Sequence, residues 1–302
     1  MTGNSAPAAP PRALVKSVLW MLGAIASFSA LAVAVRGLKP VLSPSEMLTL
    51  RSLSGVVILG VLALLMPSLR GQFAPQDFKL HLARSFVHFI GQFGWVTGVT
   101  LLPLAIVFAL EFTVPAWVAL FAVLFLAEKM NAGRLSALAL GFAGVLIILR
   151  PGVVPYDPAV LIVLMASVAF AVTMILTKKL TLRNATFTIL FWMNLIQLPM
   201  NYVFSDPLFL LKLPQAPLYA IALMCVTGLA AHYCLTNAFR HADALVIVPL
   251  DFLRIPLIAG VGFWLYNEPL DGWVFVGAAV ILAGIFANLR QEAAGARQSN
   301  AS

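Results

Sequence analysis

Charge is scarce in this chain. Asp and Glu together number 11 in 302 residues, and charged residues of both signs make up only 10%, against about 25% in an ordinary soluble protein. Cysteine is nearly missing too. Cys225 and Cys234 share one apolar run, and nine residues of helix would hold them about 13 Å apart, too far for a disulfide. A disulfide-stapled scaffold is therefore excluded. The sequence has no Gly-x-x-x-x-Gly-Lys-Ser/Thr loop, which argues against ATP drive within the chain. It has no Gly-x-Ser-x-Gly, no His-Glu-x-x-His and no cluster of catalytic carboxylates, which argues against an intramembrane hydrolase or transferase. No His-x-x-x-His or paired-acid spacing defines a metal site, and nothing calls for a cofactor.

Hydrophobic residues fill what is left: 62% of the chain, at a mean hydropathy of +0.99. Apolar runs of about 20 residues mark membrane-spanning helices. Ten are expected, at 15–35, 46–66, 79–100, 103–126, 132–149, 158–177, 185–204, 216–238, 243–266 and 271–289. Residues 1–14 are polar and Pro-rich and are expected to be disordered, and residues 291–302 form a tail. The net charge of +8 could suggest nucleic acid, but the bases lie in short loops between apolar runs. With the N-terminus inside, the inner segments hold Arg12, Lys16, Arg70, Lys79, Arg84, Lys129, Arg134, Lys178, Lys179, Arg183, Arg240, Arg290 and Arg297. The outer ones hold only Arg36, Lys39, Arg150 and Lys212. That bias places both termini in the cytoplasm, with the lipid bilayer as the partner surface and no role for nucleic acid.

Residues 111–150 lie over 251–290 at a constant offset of 140. Glu111 falls on Asp251, Phe112 on Phe252, Glu128 on Glu268 and Gly144 on Gly284. The first span overlays the sixth at an offset of 142, with Phe28 on Phe170. Each half, 15–150 and 151–290, holds five spans. An odd number makes the second half enter from the other side, so the expected fold is all-α, two inverted five-helix repeats related by an axis in the membrane plane.

The buried polar residues are the candidates for function. A charge at mid-bilayer costs at least about 2.5–3.5 kcal/mol on insertion scales, so Glu111, Asp251 and Arg254 are expected to face a central site. There they would hold the ends of a zwitterion or exchange a proton; the structural alternative is an Asp251–Arg254 ion pair beside a protonated Glu111. His88, Gln92 and Trp95 form one helical stripe in the third span, with His232, Tyr233 and Asn237 in the eighth. These stripes line a cavity or, equally, glue helices together. Arg51 and Arg84 are near enough to span ends to snorkel, or they line the pathway. Trp192, Phe28 and Phe170 are candidate walls. Glu128 and Glu268 stand at helix ends, where they would fix loops or a gate. Pro115, Pro249 and Pro256 interrupt the fourth and ninth spans, a hinge pair for alternating access. Gly141, Gly144, Gly277 and Gly284 would let the fifth and tenth spans approach closely.

The stretch Pro103-Leu104-Ala105 with Glu111-Phe112-Thr113-Val114-Pro115-Ala116-Trp117, Glu128 and Gly141-Phe142-Ala143-Gly144-Val145 resembles the repeat of the drug/metabolite transporter superfamily in its EamA-type branch. Pro249, Glu268-Pro269 and Ala283-Gly284 resemble it in the second half. The resemblance implies a bacterial inner-membrane secondary transporter exporting small metabolites. Within that family the expected group is the exporters of neutral or aromatic amino acids, with transport of another metabolite or drug, such as S-adenosylmethionine or a toxic cation, as the alternative.

Overall fold

A computed structural model describes residues 11–125, 132–150, 157–241 and 254–299, and among them every regular element is helical. The first half comprises α1 (Pro11–Leu38), α2 (Pro44–Leu65), a single turn α3 (Pro67–Arg70), α4 (Phe78–Leu101), α5 (Leu104–Glu111), α6 (Val114–Phe125) and α7 (Ala132–Leu149). The second comprises α8 (Ala159–Thr181), α9 (Thr186–Tyr202), a short 3-10 helix (Phe209–Gln215), α10 (Leu218–His241), α11 (Arg254–Tyr266) and α12 (Gly272–Ser299). Of these, α1 from Lys16, α2, α8 and α10 through Ala238 are each long and apolar enough to cross a bilayer by themselves. The chain is an all-α membrane protein.

Local sequence sets the helix ends. At α2, Ser43 accepts the Glu46 N–H while the Glu46 carboxylate accepts the Ser43 N–H at 2.7 Å, and Pro44 occupies the first turn, where no N–H is needed. The spans expected at 79–100, 132–149 and 185–204 fall within two residues of α4, α7 and α9. The fourth span departs from expectation. It was read as one helix kinked inside by Pro115, but it is two helices, α5 and α6, separated at Phe112 and Thr113. Pro115 is the second residue of α6, so its missing N–H starts a helix rather than kinking one. Pro256 falls in the first described turn of α11 and its side chain is not described; Pro249, Asp251 and Glu128 lie outside the described residues.

Packing follows the duplication. α1 pairs with α10 and α4 with α8, while α2 pairs with α9 and α7 with α12. Exchanging the halves (first span with sixth, third with eighth) turns the α1–α10 contact into the α8–α4 contact and maps the other two onto themselves. That is the pattern a twofold axis between the halves produces. Large apolar side chains point outward, including Leu64, Leu65, Leu146, Met165 and Trp264, as lipid-facing helices require.

The α7–α12 seam depends on glycine. A Cβ on Gly144 would lie 2.5 Å from the Gly277 carbonyl oxygen, and one on Gly277 would lie 2.6 Å from that of Gly144. Two backbones in such contact cannot yield as a side chain would. Gly144→Val is therefore expected to cost at least about 1–3 kcal/mol, read as a lower melting temperature in detergent. Gly141, whose Cβ would meet only Ala116 Cβ at 3.1 Å, should accept Ala at a smaller cost.

Candidate functional site: a two-halved cavity

A cavity of about 160 Å³ lies where α1, α2, α4 and the α5–α6 break meet α8, α10 and the start of α11. Both halves wall it. Eleven of the residues singled out in the sequence line it: Arg51, Arg84, His88, Gln92, Trp95, Glu111, Pro115, Phe28, Phe170, His232 and Arg254.

At one end stands an ion pair between the halves. Arg254 Nη2 donates to Glu111 Oε1 at 3.0 Å, and Trp95 Nε1 donates to Glu111 Oε2 at 2.9 Å. Glu111 is the last residue of α5, so the break in the helix aims its carboxylate across the bundle. Arg254 is only 3% exposed, and its guanidinium also lies 5.3 Å from the Phe28 ring centre, 4.9 Å from Phe108 and 5.5 Å from Phe112. Those faces stabilise a cation where water is excluded. Beside the break, Thr113 Oγ1 meets Ser167 Oγ of α8 at 2.9 Å, and Trp117 Nε1 donates to the same Ser167 oxygen at 3.0 Å. These polar groups stand where the interrupted helix would otherwise face apolar neighbours.

The α4 stripe forms the rest of the wall. His88 and His232, one from each half, touch with ring centres 4.9 Å apart. Phe28 packs edge-on to His232 at 5.5 Å, and Phe170 tilts over His88 at 6.0 Å. Gly91 makes room for Phe170, since a Cβ there would sit 2.9 Å from its ring. Arg51 and Arg84 do not snorkel. Each is 4% exposed and both face the cavity. Arg51 Nη2 donates to Gln92 Oε1 and, at 3.3 Å, to Gln197 Oε1; Arg84 Nε donates to Thr177 Oγ1 at 3.1 Å. The Arg51 stem fills the space left by Gly228, whose Cβ would lie 2.6 Å from it.

Three expected wall residues lie elsewhere. Tyr233 is 43% exposed and packs edge-on to Trp20, because it sits about 100° around α10 from His232. Asn237 donates to the Tyr233 carbonyl at 2.9 Å and is not among the lining residues. Trp192 donates to the Phe73 carbonyl at 2.8 Å and packs on Phe78 and Phe191, fixing the loop before α4. Gln197, fully buried on α9, was not singled out, yet it bonds both Arg51 and His88. The available signal was the amide stripe Asn194, Gln197 and Asn201 running through an apolar stretch.

Beyond the cavity, at the C-terminal end of α1, a second polar cluster joins the two halves. Arg36 donates to Glu268 Oε1 at 2.6 Å and to the Leu102 carbonyl, and Glu268 Oε2 accepts the Leu104 N–H at 2.8 Å. Lys212 bonds Glu46 at 2.6 Å and Asp206 at 3.0 Å. The Leu208 N–H, then Lys212, hold the Asp206 carboxyl below its ordinary range, while Glu46, then Asp206, raise the Lys212 ammonium.

Comparison with known proteins agrees with this architecture. The chain is 32% identical to a riboflavin transporter of Rhizobium johnstonii over 70% of each chain. It is 25% identical to an S-adenosylmethionine uptake transporter of Rickettsia bellii, covering 67% of this chain and 69% of the relative. A pseudopaline exporter of Pseudomonas aeruginosa is 24% identical over 91% of this chain and 96% of its own. A solved crystal structure shares the fold, with a TM-score of 0.59 at 18% identity over 90% of this chain and 95% of that one. The EamA-like transporter model matches twice, over residues 15–150 and 157–290, and the chain belongs to the EamA-like transporter family.

Proposed function

We propose that the protein is a secondary carrier, not an enzyme, that moves a small organic solute across the bacterial inner membrane by alternating access. The cavity walled by both halves carries this reading. A site held between two symmetry-related bundles can face one side and then the other as they rock. Both termini are cytoplasmic in this proposal, on the Lys and Arg distribution, which puts the Arg36–Glu268 cluster at the outer end. Neutral or aromatic amino acids are the proposed solutes, and export the proposed direction. Phe28, Phe112 and Phe170 suit an apolar or ring-bearing side chain, and the arginines and Glu111 suit charged ends. The acids, Glu111 above all, are also the groups that could exchange a proton. A larger ring-bearing metabolite, as in the riboflavin transporters, is a second reading that the same aromatic walls favour.

Counterflow in proteoliposomes tests this. Labelled phenylalanine, riboflavin and S-adenosylmethionine are offered singly, with and without a pH gradient. Accumulation driven by unlabelled internal solute is expected for one of them. A leak that unlabelled solute does not stimulate would mean a pore, and chemical conversion of the label an enzyme. A response to the pH gradient would show proton coupling.

A further inference from the structure

The α4 wall has a polarity that the Glu111–Arg254 pair alone does not explain. Glu111 neutralises Arg254 at one end. At the other, Arg51 and Arg84 are both buried and cavity-lining, and among the described residues neither forms an ion pair. Two guanidiniums that no described carboxylate balances are costly at membrane depth, so their retention points to an anion that comes and goes.

Hydrogen-bond directions point the same way. Gln197 Nε2 donates to the Ser85 carbonyl at 2.9 Å and meets His88 Nδ1 at 2.8 Å, while its oxygen accepts from Arg51. An amide NH₂ can only donate, so His88 Nδ1 accepts and the ring proton sits on Nε2. Gln92 gives its oxygen to Arg51, which leaves its Nε2 as a donor with no partner among the described residues. Arg51 Nε and Arg84 Nη1 are likewise buried donors without partners among the described residues. In this wall the acceptors of Gln92 and Gln197 are committed, and what is left over donates.

We infer that Arg51, Arg84, Gln92 and His88 form a subsite for an anionic group, a carboxylate or a phosphate, of a solute whose ring packs between Phe28 and Phe170. A guanidinium binds planar or tetrahedral oxyanions through two bonds at once. Phe28 packs edge-on to His232 and Phe170 tilts against His88, which puts ring surface beside these donors. The inference rests on the cavity being the transport site and adds the sign of the charge that it recognises: an aromatic anion, or the carboxylate of an aromatic amino acid, rather than a cation.

The test uses purified full-length protein in detergent and four probes sharing one phenyl ring: hydrocinnamate, phenyl phosphate, phenylalanine and phenethylamine. Hydrocinnamate or phenyl phosphate should raise the melting temperature at millimolar concentration, and whichever does so names the group. Phenethylamine should not. Arg51→Gln and Arg84→Gln should each weaken the favoured anion by roughly tenfold or more, with part recovered in Arg84→Lys. Gly228→Val, which displaces the Arg51 stem without removing a charge, should weaken it as well, and covers the case in which Arg51→Gln fails to fold. Stabilisation by phenethylamine equal to that of the anions, no response to either anion, or unchanged affinity in the folded arginine variants would each overturn the subsite. Counterflow separates this from the transport reading. Anion binding without counterflow keeps the subsite and removes the carrier; counterflow of phenethylamine with no anion binding does the reverse.

Discussion

Glu111→Gln is expected to slow exchange across proteoliposomes between about tenfold and a hundredfold, the range of one charge-assisted hydrogen bond, while the variant still reaches the membrane folded. The carboxylate uses both oxygens. Oε1 takes the Arg254 guanidinium and Oε2 the Trp95 indole. A glutamine has one oxygen, so its NH₂ must confront one of these two donors. Breaking a fully buried pair from one side costs about 3–5 kcal/mol. Here Glu111 is 16% exposed at its side chain and borders a cavity, so the stability loss should be well below that. The double variant Glu111→Gln/Arg254→Met separates stability from transport. Removing the stranded guanidinium should return the melting temperature toward wild type without restoring exchange, if the pair acts in the transport cycle. Wild-type exchange in Glu111→Gln would show that the pair only holds the fold.

The pair also shows where sequence could be read and where it could not. Glu111 and Arg254 were visible as charges in apolar runs, and hydropathy placed the spans around them because length and composition alone decide what crosses a bilayer. Their partnership was not visible. Sequence spacing suggested Asp251, three residues from Arg254, and that residue lies outside the described set; the described carboxylate comes from the other half of the chain. The α5–α6 break was hidden for a related reason. Apart from Glu111, the residues on both sides of Phe112-Thr113 are apolar, so hydropathy runs straight through, and the interruption shows in the backbone and in the contact of Thr113 with Ser167. For Arg51 and Arg84 the sequence left two readings open, snorkelling or lining the pathway, because distance to a span end says nothing about which way a helix face turns. α2 packs on α9 and α10, and α4 on α8, which turns both guanidiniums inward. Period did succeed on α4, where His88, Gln92 and Trp95 share one face and all reach the cavity. On α10, reading Tyr233 with His232 ignored that adjacent residues never share a helix face.

Glu268→Ala is expected to open the end of the bundle beyond Arg36. This carboxylate is a node joining three elements: the last turn of α1 through Arg36, the joint before α5 through the Leu104 N–H, and the end of α11 through its own backbone, whose N–H bonds the Gly262 carbonyl at 3.0 Å. Tyr266 adds a bond from its hydroxyl to the Val33 carbonyl at 3.2 Å. Moving one half against the other at this end must break the Glu268 bonds, so they weigh the equilibrium toward closure. Both charged partners are 14% exposed, and screening by solvent trims their worth, to about 1–2 kcal/mol, a shift of about 5- to 30-fold in population. Val35, one residue before Arg36, is buried and lines the cavity. In a Cys225→Ser/Cys234→Ser background, Val35→Cys should react with a membrane-impermeant maleimide faster by that factor once Glu268 is alanine. Glu268→Gln, which keeps an acceptor and loses the charge, should fall between the two. Equal reaction rates in all three proteins would show that the cluster braces the loop without gating the cavity, and would leave closure at this end to apolar packing around Leu104 and Val107.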